Sequence, residues 1–124
     1  MSEFVYADET YKIIGICMEV HNNLGAGFAE IVYKDALEYE FKKAGIPFER
    51  EKEYEVKYKD IILPHKFYAD FVVFDKIILE VKGVKAIIPE FYAQCINYLK
   101  VSQNKIALLV NFGELRLHYE RVIL

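Results

Sequence analysis

The sequence predicts a mixed α/β (α+β) fold with the element order α-α-β-β-β-α-β-β, and three observations carry that expectation. Two N-terminal segments repeat apolar residues at helical spacing. The middle of the chain alternates charged with aromatic and aliphatic residues at period two, the signature of strands. A third helical pattern is then followed by an unbroken apolar run, Lys105 to Phe112, of the kind covered on both faces.

In chain order, Ile13, Ile14, Cys17, Val20 and Leu24 place a helix over Glu9 to Leu24, with Gly25 of "LGAG" as its C-cap. A second helix opens near Phe28 and runs through Val32, Tyr33, Ala36, Leu37 and Phe41 to Ala44, where "GIP" stops it. "EREKEYEVKYK" sets charges at 49, 51, 53, 55, 57 and 59 against Tyr54, Val56 and Tyr58, a strand whose charges form a solvated face. An apolar step broken by Pro64 leads into "KFYADFVVF" and "KIILEVKG", two strands of an antiparallel meander. After Pro89 a helix turns Phe91, Cys95, Ile96 and Leu99 inward, and "ELRLHYERVIL" closes the chain as an alternating strand.

With 124 residues, 54% of them hydrophobic, residues 1–124 are expected to form one domain that needs no staples. A net charge of −3 argues against sequence-blind coating of nucleic acid or anionic membrane, though a local basic cleft is compatible with it. Cys17 and Cys95 form no C-x-x-C pair and read as buried free thiols, which fits a reducing, cytoplasmic setting. No stretch approaches the ~20 apolar residues of a membrane span, so no membrane partner is expected. The sequence leaves room for a homo-oligomer.

One strand does not fit a purely structural reading. Glu80 and Lys82 sit two apart among Ile77, Ile78, Leu79 and Val81, and a charge removed from water costs several kcal/mol unless it is paired, hydrogen-bonded or metal-bound. The other two E-x-K triplets have plain explanations: Glu40 and Lys42 lie on a helix, and Glu55 and Lys57 on the solvated face. Asp70 lies in the preceding apolar strand. It falls opposite Glu80 if Val73 pairs with Ile77 around a three-residue loop, Phe74 to Lys76; a two-residue loop would send it to the wrong face. In that register two carboxylates and an ammonium converge, a set suited to Mg²⁺ or Mn²⁺ with a lysine beside it. The competing reading is a Glu80–Lys82 ion pair.

Asp70, nine intervening residues and then Glu80-Val81-Lys82 resembles the D…E-x-K core of the PD-(D/E)XK nuclease superfamily, with Ala69 where the family name has proline. "GAGFAEIVY", with Gly27, Glu30 and Tyr33, is similar to the signature of its GxxExxY branch, and the likeness runs from about Ile13 to Leu124, including "AQCINYLK". The resemblance implies a restriction-endonuclease-like mixed sheet flanked by helices. It also implies metal-dependent hydrolysis of nucleic acid, DNA first. Asp70, Glu80 and the Val81 carbonyl would hold Mg²⁺ or Mn²⁺, Glu30 would complete the set, Lys82 would serve the attacking water or the transition state, and Gln94 would lie near the site.

Plainer readings stand beside these. Glu30 suits the positive end of any helix; Gly25 and Gly27 read as cap and turn; Tyr33 and Tyr98 read as core or cleft-wall aromatics; His21, His65 and His118 lack ligand spacing. A nuclease fold without catalysis, serving as a binding or assembly module, is the alternative function. If the carboxylates converge without a cation, their repulsion should strain the protein, and Asp70→Asn should leave its melting temperature unchanged or raise it.

Overall fold

The computed structural model describes residues 5–124. Helix α1 (Ala7–Leu24) ends at Gly25, whose φ of 70° suits a residue without Cβ and whose N–H closes onto the His21 carbonyl at 2.8 Å. Helix α2 (Glu30–Ala44) starts two residues later than the sequence pattern suggests, because Phe28 and Ala29 belong to the turn that leads into it. That turn is tied by Tyr33, whose hydroxyl donates to the Gly25 carbonyl at 2.6 Å and accepts the Phe28 N–H at 3.2 Å. Fully buried and stacked on Phe112 at 4.7 Å, Tyr33 is a core aromatic. Gly27 (φ 112°) supplies the turn's other requirement, and together they point the first residue of α2, Glu30, in a set direction.

The five strands are β1 (Phe48–Tyr58), β2 (Ile61–Val73), β3 (Ile77–Lys82), β4 (Ile106–Asn111) and β5 (His118–Ile123), and they lie in the order β1-β2-β3-β4-β5. All neighbours are antiparallel except β3 and β4, which run parallel and are joined through α3 (Pro89–Ser102). On one side of the sheet Phe71, Val73, Leu79, Val81, Leu108 and Val110 pack with Ile13, Cys17, Tyr33, Leu37 and Phe41 of α1 and α2. On the other, Val72, Ile78, Ala107 and Leu109 pack with Cys95, Tyr98 and Leu99 of α3. The mixed, helix-flanked sheet and its element order are those expected. Both cysteines are buried free thiols, and burial pushes Cys95 up to about 12, so neither is a ready nucleophile.

Strand β2 does not break at Pro64. The β1–β2 ladder shifts register there, from Glu55↔Lys66 to Lys57↔Ile62, so the proline, which has no N–H to donate, sits in an irregularity instead of a regular ladder position. Strand β3 pairs with β2 only over Phe71 to Val73, leaving the rest of β1–β2 as a two-stranded ribbon, which twists more than a wide sheet. The twist is visible in the packing. Phe67 contacts Tyr98 of α3, while Phe71, of the same parity in the strand, contacts Phe41 of α2. The ribbon turns over between them. Glu51, directly across from Asp70 by the flanking register, takes the left-handed conformation there (φ 55°).

Candidate active site

Of the two registers the sequence left open, the structure takes the one that brings the site together: Val73 pairs with Ile77, Val72 with Ile78 and Phe71 with Leu79, around the three residues Phe74 to Lys76. Two of these, Phe74 and Asp75, have positive φ, which lets three residues reverse the chain. One step further the regular pairing ends and side chains replace the ladder. The Asp70 N–H donates to Glu80 Oε1 at 2.9 Å, and the Val81 N–H donates to Asp70 Oδ2 at 2.8 Å. Each carboxylate thus satisfies the other strand's backbone where the two strands part.

Glu80 is 2% exposed. Burial, and then the negative charge of Asp70, push it well above the usual carboxylate range, against the Asp70 N–H and the Lys82 and Lys34 charges that pull the other way. Among the described residues Glu80 and Lys82 are not ion-paired to each other. Lys82 instead donates to Gln94 Oε1 at 3.2 Å and lies over the Phe91 ring at 4.5 Å, both on α3. The structure therefore brings Asp70, Glu80, Val81, Lys82 and Gln94 into one neighbourhood at the open end of β2–β3.

Glu30 approaches from the other side. A Cβ on Gly83, the residue after Lys82, would lie 3.5 Å from Glu30 Cγ and 3.4 Å from the Phe28 carbonyl, so the start of α2 abuts the end of β3. Among the described residues no three His, Cys, Asp or Glu side chains come together as a metal-holding group, so Glu30 is not drawn into one cluster with Asp70 and Glu80.

Two residues outside the sequence-based set complete the site. Lys34, one turn beyond Glu30 on α2, donates to Asp70 Oδ1 at 2.8 Å and also to Glu51 Oε1, with its side chain 10% exposed. Burial pulls its pKa down, but the hydrogen bonds it donates to Asp70 and Glu51 outweigh it and hold Lys34 above the ordinary lysine value, so it is an ammonium. Glu51 is thus more than a member of a solvated face. The available signal was spacing: a helix that aims Glu30 at the site also aims the residue four positions on.

The loop after β3 is held by Asn111, which pairs with Lys82 in the β3–β4 register. Its Oδ1 accepts the N–H groups of Val84 and Gly113, both at 3.0 Å, and its Nδ2 donates to the Val84 carbonyl at 2.9 Å and to Glu114 at 2.8 Å. Gly113 allows this knot: a Cβ there would stand 2.2 Å from the Val84 carbonyl oxygen and 2.4 Å from the Val84 nitrogen. Gly113→Ala should therefore displace the loop behind Lys82 and cost about 1–3 kcal/mol, read as a lower midpoint in urea unfolding with little change in slope.

The donor chemistry fits a hard divalent cation. The donor types are two carboxylates and a backbone carbonyl, although both Asp70 oxygens already accept hydrogen bonds, from Lys34 and from the Val81 N–H; an ion such as Mg²⁺ commonly takes one or two protein carboxylates and leaves its remaining positions to water and substrate phosphate. No curated protein matches the chain. Among solved structures it is similar to "Crystal structure of SSO0001", with TM-score 0.60 and 19% identity over 74% of this chain and 48% of that one. That likeness is one of fold, and the chain spans about half the length of that protein. A family model of the PD-(D/E)XK nuclease superfamily matches residues 7–122, and on that match the chain belongs to the PD-(D/E)XK nuclease superfamily.

Proposed function

We propose that the chain is a Mg²⁺- or Mn²⁺-dependent nuclease of the GxxExxY branch, hydrolysing phosphodiester bonds of nucleic acid, DNA in the first instance, in the cytoplasm. Membership of a nuclease superfamily supports nuclease activity and a nucleic-acid substrate, and these enzymes generally use divalent metals. Among the described residues no helix is long and apolar enough to cross a membrane. The observation that carries the reading is the pair of reciprocal hydrogen bonds that fixes Asp70 and Glu80 together beside Lys82. Asp70, Glu80 and the Val81 carbonyl are the proposed ligands, and Glu30, at the start of α2 beside the end of β3, would reach the remaining positions through water.

Bound there, a divalent ion would neutralise charge on the scissile phosphate and acidify an attacking water. Lys82 would orient that water or stabilise the charge that builds on the phosphorus-bound oxygens. Gln94 and Phe91 hold the ammonium in place while leaving it protons to donate, so Gln94 acts by positioning Lys82.

The test incubates purified protein with single-stranded DNA, duplex DNA and RNA under Mg²⁺, Mn²⁺ or EDTA, beside Glu80→Gln. Cleavage that survives both chelator and Glu80→Gln would place its source outside this site. One observation favours the rival reading of a catalytically silent binding module: an ammonium already satisfies Asp70. No cleavage of any substrate, with no shift in melting on adding Mn²⁺, would decide for that rival. Glu55→Gln and Lys57→Met, on the exposed ribbon, should change the rate by less than about twofold, because solvated charges contribute little; a large loss from either would point to a different E-x-K.

A further inference from the structure

Lys34 is gripped by two carboxylates with different surroundings. Asp70 has a side chain 15% exposed and is already engaged with β3; Glu51 has a side chain 50% exposed and faces solvent. Without a countercharge, Asp70 and Glu80 would oppose each other inside the fold, and the Lys34 ammonium supplies that countercharge through Asp70 Oδ1. The same carboxylate belongs to the donor set proposed for a divalent ion, and an ammonium and a dication cannot both crowd it without repulsion. Glu51 offers the ammonium a second seat that it already touches. The backbone holds Glu51 in a conformation uncommon outside glycine (φ 55°), at the point where the ribbon turns over and directly across from Asp70. Strain at the residue that, among the described residues, shares Lys34 with Asp70 marks this position as more than a surface ion pair.

We propose that Lys34 and Glu51 form a resident cation relay for the carboxylate pair: Lys34 neutralises Asp70 in the metal-free protein and passes wholly to Glu51 when a divalent ion binds. The inference rests on the metal-binding reading above and assigns Lys34 and Glu51 a positioning role in it, acting through Asp70. The relay sets a threshold, because only an ion of higher charge than the ammonium gains enough from Asp70 and Glu80 together to displace it. It also keeps the metal-free pair folded.

The test is Mn²⁺ affinity, measured by electron paramagnetic resonance of the free ion at fixed ionic strength, for the wild type, Lys34→Met, Glu51→Gln and the double variant. Lys34→Met should tighten Kd by about tenfold, and Glu51→Gln, by removing the second seat, should weaken it by about threefold. With Lys34 absent, Glu51→Gln should have almost no further effect, a coupling that independent charges would not produce. If Lys34→Met does not fold, Glu51→Gln is compared with Glu53→Gln, which removes an equal charge from the same ribbon without touching Lys34; the relay requires that only the former weakens binding. Unchanged Mn²⁺ affinity in Lys34→Met, or equal effects of the two glutamate variants, would overturn the relay while leaving the metal site standing. A wild type that binds no Mn²⁺, or binding that survives Asp70→Asn, would overturn both.

Discussion

Glu80→Gln is expected to lower divalent-dependent cleavage by about a thousandfold or more while leaving the melting temperature in EDTA unchanged or raised. The glutamine has nearly the same shape, and its carbonyl can still accept the Asp70 N–H that Glu80 Oε1 now accepts. What it loses is charge, at a position 2% exposed where burial and Asp70 both disfavour that charge. A charge so disfavoured by its surroundings is what the proposed metal-binding role would require there. Initial rates on the best substrate and thermal melts followed by circular dichroism check the two halves separately. A variant that cleaves at a tenth of the wild-type rate or better, or melts several degrees lower, would make Glu80 a structural partner and not a ligand.

Asp70→Asn is expected to abolish cleavage as well, but to destabilise the metal-free protein by about 2–3 kcal/mol, roughly ten degrees of melting temperature for a domain of this size. Like-charge reasoning alone expects the opposite sign; the Lys34 ammonium on Asp70 Oδ1 is the reason to expect this one. Both Asp70 oxygens are acceptors, Oδ1 for the Lys34 ammonium and Oδ2 for the Val81 N–H. An asparagine has one acceptor oxygen, so its NH₂ must face one of those donors. Lys34 keeps Glu51, which limits the loss. In the wild type, Mn²⁺ at a hundredfold excess over Kd should stabilise by about 2.7 kcal/mol, and in Asp70→Asn that gain should vanish. An unchanged melt in EDTA would show that the Lys34–Asp70 pair contributes nothing to the fold.

What the sequence determined by itself was what local spacing encodes. Helical recurrence at Ile13, Cys17 and Val20, alternation through Tyr54 and Val56, and the unbroken run from Ile106 to Val110 each report the burial pattern of a single element, so the order of helices and strands was legible. The sequence narrowed the register without choosing it: an odd loop or a bulge would face Asp70 with Glu80 and a two-residue loop would not, and the structure takes the three-residue loop that pairs Val73 with Ile77. Tertiary structure alone decided what neutralises them. Lys34 and Asp70 are 36 positions apart, and a lysine on an amphipathic helix reads as a solvent-facing residue until the helix is laid across the parted strands. Glu51 read as one of six alternating charges because alternation assumes a flat strand; the ribbon turns over at that residue, and the period-two argument stops there. Spacing along the chain records which face a residue occupies within its own element. Which charges meet depends on twist and crossing between elements, which no single segment carries.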